Sequence, residues 1–277
     1  MQALFYNSLF SALIFLCCCS IIPSTNAAGE NESANYAFAN YLGSGIYRTS
    51  GQDATVVNMP FSYQMERDDG IDFKLRLPVS VGFFDFEVND IPDDGIPTKI
   101  DTLSFVPGVE FDYLYSDKLT IIPYFDLGWA GNMTTGSDTA VYSSGVSALY
   151  ELNGGAFDPL WVNRLYYAGY YTLDTNSKDG YAAFQTGIDL GLPNRFKMLG
   201  HAIQPTVFAT SYWYFVDLTF DAPGSQDISI SSSYEVGFTL ASEKPIGYSF
   251  LSLDRLGVGY RFGKDFYAWH LLFDLPI

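Results

Sequence analysis

Cysteine is confined to three neighbours, Cys17, Cys18 and Cys19, and histidine to His201 and His270, in a chain of 277 residues. Beyond residue 19 this excludes a disulfide framework and a thiolate metal site. Two histidines without cysteine are a poor zinc set, so no metal or cofactor is expected. Basic residues are also scarce: 14 Lys and Arg stand against 31 Asp and Glu, a formal charge of -17. Nucleic acid is excluded as a partner, because a phosphate backbone needs Lys and Arg to displace its counterions. Long apolar runs are missing after Pro23. A spanning helix needs about 20 apolar residues, so a helical membrane protein is excluded as well.

What apolar run there is lies at the N-terminus, from Leu9 to Ile22, closed by Pro23 and followed by the small residues of Thr25-Asn26-Ala27-Ala28. It is too short to span a bilayer and has the layout of a signal peptide, although no Lys or Arg precedes it. Residues 1–28 are therefore expected to be a signal peptide, and 29–277 an outer-membrane β-barrel domain. A lipid anchor on the cysteines is disfavoured, because the residues before them lack the small-residue pattern. Only about ten residues separate Ala28 from the first expected strand, too few for a folded passenger domain.

The remaining pattern has a period of two, which is strand geometry. Ile71, Phe73, Leu75 and Leu77 alternate with Asp72, Lys74 and Arg76. Leu103, Phe105, Val109, Phe111, Tyr113 and Tyr115 alternate with small or charged residues. Leu256, Val258, Tyr260 and Phe262 alternate with Arg255, Gly257, Gly259 and Arg261. Extended along the chain, the pattern predicts about twelve strands at 36–48, 54–66, 71–84, 102–115, 118–130, 140–152, 160–172, 180–191, 203–216, 228–241, 247–262 and 265–277. Asp68-Asp69-Gly70, Ser116-Asp117-Lys118, Ser242 to Pro245 and Gly263-Lys264-Asp265 read as tight turns. The longer connections at 85–101, 131–139, 173–179 and 217–227 then fall on the outer side, the pattern of outer-membrane barrels. A soluble sandwich is the rival, but its strands usually run about 5–6 residues. Here alternation holds for about ten, the length that crosses a bilayer at a tilt. Tyr113, Tyr115, Trp129, Trp161, Tyr171 and Trp269 end apolar faces, as interfacial aromatic girdles do.

The chain's end carries the strongest signal. Tyr267, Trp269, Leu271, Phe273, Leu275 and Ile277 are apolar at every second position. This resembles the C-terminal assembly signal of outer-membrane barrels, with Ile in place of the usual Phe. Leu77-Pro78-Val79-Ser80-Val81-Gly82-Phe83-Phe84-Asp85-Phe86 and Leu256-Gly257-Val258-Gly259-Tyr260-Arg261-Phe262-Gly263, followed by the closing strand, resemble the solitary autotransporter-like outer-membrane barrels. These are standalone barrels without a large passenger. The resemblance implies an all-β, antiparallel up-and-down barrel of twelve strands and supplies no catalytic residues.

The strand phase places Asp72, Lys74, Arg76, Glu110, Asp112, Asp126, Arg164, Asp189, Glu235, Arg255, Arg261 and Asp274 in the lumen. Unpaired charges are costly in a narrow space, so pairing is expected. The same phase sets His270 beside Asp274 and leaves His201 in a turn. No serine stands in a recognisable nucleophile setting, so the chain is expected not to be an enzyme. Asp90, Asp93, Asp94, Asp174 and Asp179 read as solvated loop acids. Bound Ca²⁺, or a cation bridge to lipopolysaccharide, is the alternative. The function expected is an outer-membrane barrel with a structural or narrow-pore role. The alternatives are surface binding through the acidic external loops and, less favoured, a barrel-housed enzyme. Expected partners are outer-membrane lipid, lipopolysaccharide and the barrel assembly machinery; the oligomeric state is left open.

Overall fold

The computed structural model describes residues 44–49, 53–65, 71–84, 101–133, 136–153, 155–176, 178–198, 200–220, 228–248, 251–264 and 266–275. The expected signal peptide, the start of the first predicted strand and the acids Asp90, Asp93 and Asp94 lie outside the described residues. So do Pro276 and Ile277.

Among the described residues all regular elements are strands: β1 (Ser44–Thr49), β2 (Asp53–Met65), β3 (Ile71–Phe84), β4 (Thr102–Phe105), β5 (Gly108–Ser116), β6 (Leu119–Asn132), β7 (Asp138–Glu151), β8 (Asp158–Thr172), β9 (Lys178–Gly191), β10 (Phe196–Met198), β11 (His201–Phe220), β12 (Ile228–Tyr248), β13 (Leu251–Gly263) and β14 (Phe266–Leu272). Each pairs antiparallel with its neighbours. The sheet closes because β1 takes β2 on one side and β14 on the other, with Ser44 opposite Leu271 and Thr49 opposite Phe266. β4 and β5 make one interrupted stave between β3 and β6, and β10 is a short flap on β11. The result is a closed barrel of twelve staves, as the sequence period predicts. Closure leaves no open edge, which a hydrocarbon environment could not satisfy.

The two faces differ as the alternation requires. Inward positions carry Tyr, Thr, Ser, Gly and charge. Outward positions carry Val, Leu, Phe and Trp, so Phe238, Leu256 and Leu271 stand open to the surroundings while Glu235, Gln185 and Thr239 are fully covered. A water-soluble protein would have the opposite arrangement. Trp129 and Trp161, near opposite ends of the wall, each anchor the indole N–H to a neighbour, Asp138 Oδ1 and Thr186 Oγ1.

Four boundaries differ from the sequence reading, each for a local reason. The span 102–115 is broken at Val106-Pro107, where proline has no N–H to donate. There the Val106 N–H turns to the Pro78 carbonyl, and the Leu127 N–H to the Pro107 carbonyl. The Ser242 to Pro245 segment is no turn. A bulge between Ala241 and Ile246 absorbs it, and β12 runs on to Tyr248. His201 is not in a turn but opens β11, opposite Met198. The last strand stops at Leu272: Phe273, Asp274 and Leu275 leave the ladder, although alternation in the sequence continues.

The break in the β4–β5 stave requires a glycine beneath it. A Cβ on Gly128 would fall 2.2 Å from the Phe105 carbonyl oxygen and 2.3 Å from Val106 Cα, both main-chain atoms that cannot rotate away. Gly128→Ala is expected to cost at least about 1–3 kcal/mol by overpacking. The measurement is the temperature at which the folded gel band converts to the unfolded one. Conversion at the wild-type temperature would refute the assignment.

Candidate functional site

Among the described residues chemistry-bearing side chains converge in the lumen, and alternation puts them there. β3 turns Asp72, Lys74 and Arg76 inward, and β5 answers with Glu110 and Asp112. Lys74 Nζ lies 3.0 Å from Asp274 and 3.9 Å from Glu110. Arg76 reaches Glu110 at 3.5 Å and Asp126 at 2.5 Å. Asp126 also accepts from the Ser143 hydroxyl at 2.9 Å. Across the lumen, Arg255 Nη1 donates to Asp189 at 2.8 Å and to the hydroxyls of Thr206 and Thr239. Asp72 and Asp112 face each other in register, and one buried Asp112 oxygen has no hydrogen-bond partner among the described residues.

A second group joins these charges into a belt. Among the described residues seven tyrosines are buried: Tyr47, Tyr124, Tyr166, Tyr170, Tyr181, Tyr212 and Tyr214. Guanidinium groups sit against several of their rings, as cation–π attraction favours. Arg76 lies 4.7 Å from the Tyr124 centroid, and Arg164 lies 4.4 Å from Tyr124 and 5.0 Å from Tyr166. Tyr166 meets Tyr181 edge-on at 5.9 Å, and Tyr181 meets Tyr214 at 5.8 Å. Arg261 donates to the Tyr214 hydroxyl and to Ser233, and stacks 3.6 Å from the Tyr212 centroid. The Tyr212 hydroxyl donates to Glu235 at 3.0 Å. Glu235 takes His270 Nδ1 at 3.2 Å, and the His270 ring packs on Tyr47 at 5.2 Å.

His270 is thus partnered by Glu235, not by Asp274 as the strand phase alone indicated. Asp274 lies past the end of β14, where Lys74 takes it. The other ring nitrogen, Nε2, is buried and has no hydrogen-bond partner among the described residues. Glycine makes the space. Gly237, Gly259, His270 and Gly45 stand in one register row. A Cβ on Gly259 would meet Glu235 Oε1 at 2.4 Å, and one on Gly45 would meet the His270 ring at 2.9 Å. The Glu235–His270 pair escaped the sequence reading because its members lie 35 residues apart on staves separated by β13. The glycine alternation in Leu256-Gly257-Val258-Gly259 was the available signal.

Of the acids expected in loops, Asp174 accepts from the Asp138 N–H, whereas Asp179 stands in β9 opposite Tyr170 and accepts from the Gly180 N–H. Among the described residues no group of three or more His, Cys, Asp or Glu could hold a metal ion. The C-terminal residues Tyr267, Trp269 and Leu271 share the outward face of β14. Phe273 and Leu275 follow it without ladder partners.

No protein-family model matches the chain, and a search of curated proteins finds no similar one. Solved structures are similar in fold. The β domain of the Bordetella autotransporter BrkA is 14% identical, over 82% of this chain and 94% of that one, with a TM-score of 0.45. LpxR from Salmonella typhimurium is 11% identical, over 80% of this chain and 87% of that one, at 0.44. The outer membrane transporter YddB from Escherichia coli is 12% identical, over 76% of this chain and 34% of that one, at 0.32. One expectation is corrected. LpxR is an outer-membrane enzyme, and the reading of this chain as a non-enzyme is withdrawn. The chain is a closed, all-antiparallel β-barrel of twelve staves.

Proposed function

We propose that this protein is exported by its N-terminal segment, inserted by the barrel assembly machinery, and resident among outer-membrane lipid and lipopolysaccharide. There it acts as a structural or narrow-pore barrel. One observation supports the narrow lumen above others: the belt of tyrosines and cations is closely packed. Tyr212 is 7% exposed, Arg261 3%, Glu235 2% and His270 4%, so side chains fill the interior at that level. Twelve staves also enclose less space than the 16–18 of porins.

The test is reconstitution of purified protein in planar bilayers. The expected record is silence broken by small, brief openings. A large, steady single-channel conductance would overturn the proposal.

A further inference from the structure

The wall is lowest at the closing seam. β14 holds 7 residues and β1 holds 6, while β13 and β2, which flank them, hold 13 each. β14 leaves its ladder at Leu272, opposite Gly257, although β13 begins at Leu251. Among the described residues, Leu251 to Leu256 therefore find strand partners on the β12 side alone. An unpaired strand edge is a template for another segment. β2 and β13 also draw to within 8 Å of each other, which two intervening staves would forbid. They approach where β14 and β1 have ended.

The segment after β14 turns away from this edge. Asp274 reaches Lys74 of β3 at 3.0 Å, beyond β1 and β2, and its other oxygen accepts from the Leu275 N–H. The same segment fits a second seat. Continuing the β13–β14 register past Gly257 and Leu272 sets Phe273 opposite Leu256 and Asp274 opposite Arg255. Leu256 is exposed on the outward face, so the first pair is apolar on both sides. Arg255 faces the lumen, where it meets Asp189 at 2.8 Å, so the second pair joins opposite charges. Both are pairings that stabilise adjacent strands.

We propose that Phe273 to Leu275 form a strap with two seats. At rest Asp274 holds Lys74, and the strap crosses the mouth of the lumen at this end. In the second seat the strap continues β14 along the β13 edge, and that mouth is open. Alternation in the sequence outlasts the ladder because it serves the second seat. Lys74 is not stranded by the exchange. Glu110 stands opposite it in register, 3.9 Å away, and the inward acid Asp112 keeps a buried oxygen without a hydrogen-bond partner among the described residues. Two features favour the bent seat at rest. A strand between β2 and β13 needs two spacings of about 4.8 Å, so these staves must part to admit it. Leu275 would also fall opposite Asp254, a poor match. Passage of ions through the open mouth rests on the narrow-pore reading; the exchange of seats does not.

The test uses the full chain, purified from outer membranes, carrying Leu256→Cys and Phe273→Cys. Beyond residue 19 the chain has no cysteine of its own. Under mild oxidant the two thiols should join slowly, as read by peptide mass, because the second seat is the minor one. Adding Lys74→Gln should speed the joining several-fold. Lys74→Arg, which keeps the charge, should leave it slow. The heat-modifiable band certifies each fold, and Lys74→Met replaces the Gln variant if that band is lost. In planar bilayers the joined form should open more often than its reduced form. No joining at all, or one rate in all three backgrounds, would overturn the proposal. So would a joined form whose openings match those of the reduced form. Silence of every form, together with joining that depends on Lys74, would instead sink the pore reading and leave the strap standing.

Discussion

Leu271→Arg is expected to abolish nearly all heat-modifiable protein in purified outer membranes. Leu271 is half exposed on the outward face of β14 and lies at the closing seam, opposite Val258 on β13 and Ser44 on β1. Arginine on the lipid face costs about 2–4 kcal/mol near the midplane. At the seam that cost falls on the step that removes the last open edge. Deleting 266–277 should have the same result, because β13 and β1 would each be left with an unpaired side. Ala268→Ser, on the inward face, should assemble normally. Phe273→Asp should be much milder than Leu271→Arg, since the ladder has already ended at Leu272. Equal damage from Phe273→Asp and Leu271→Arg would show that the paired strand runs further than Leu272. We propose the outward residues Tyr267, Trp269 and Leu271 as the part of the C-terminal signal that assembly reads.

Arg261→Ala is the second change with a large expected effect, and it acts from inside. The side chain bonds to Ser233 and Tyr214, stacks on Tyr212 and stands opposite Glu235 in register. Its loss leaves a covered carboxylate with only the Tyr212 hydroxyl and His270, and opens the belt where it is most deeply covered. Removing one partner from a buried charge group costs on the order of 3–5 kcal/mol. The variant should unfold from its compact gel form at a distinctly lower temperature and conduct several-fold more than wild type. Arg261→Lys should fall between, because lysine keeps the charge but loses the planar group that stacks and forks. Wild-type conductance together with wild-type heat resistance in Arg261→Ala would show that the belt neither narrows nor braces the lumen.

The barrel was legible because its governing rule is local. Each inward residue has an outward neighbour, and runs such as Ile71 to Leu77 declare the phase without any knowledge of their partners. The interior was less legible. Phase says that Glu235 and His270 both face inward, but not that they meet. That depends on the register between β12, β13 and β14, which Gly237 and Gly259 permit by leaving space. Strand ends were weakest where sequence pattern and hydrogen bonding part company. Pro107 interrupts a pattern that continues on either side of it, and Phe273 to Leu275 keep the alternation after their ladder partners have run out.

All four tryptophans of the chain, Trp129, Trp161, Trp213 and Trp269, stand on the outward wall, each between 37% and 57% exposed. The buried aromatics of the interior are tyrosines and Phe208, but tyrosines such as Tyr63, Tyr150, Tyr167, Tyr234 and Tyr267 share the outward wall with the tryptophans. Indole is therefore the chromophore that belongs to one face alone, and it reads that face without any introduced label. Its emission is open to quenching by brominated acyl chains. Arrival of the outward wall in a bilayer can thus be timed in a refolding experiment, by following indole quenching as the chain enters vesicles.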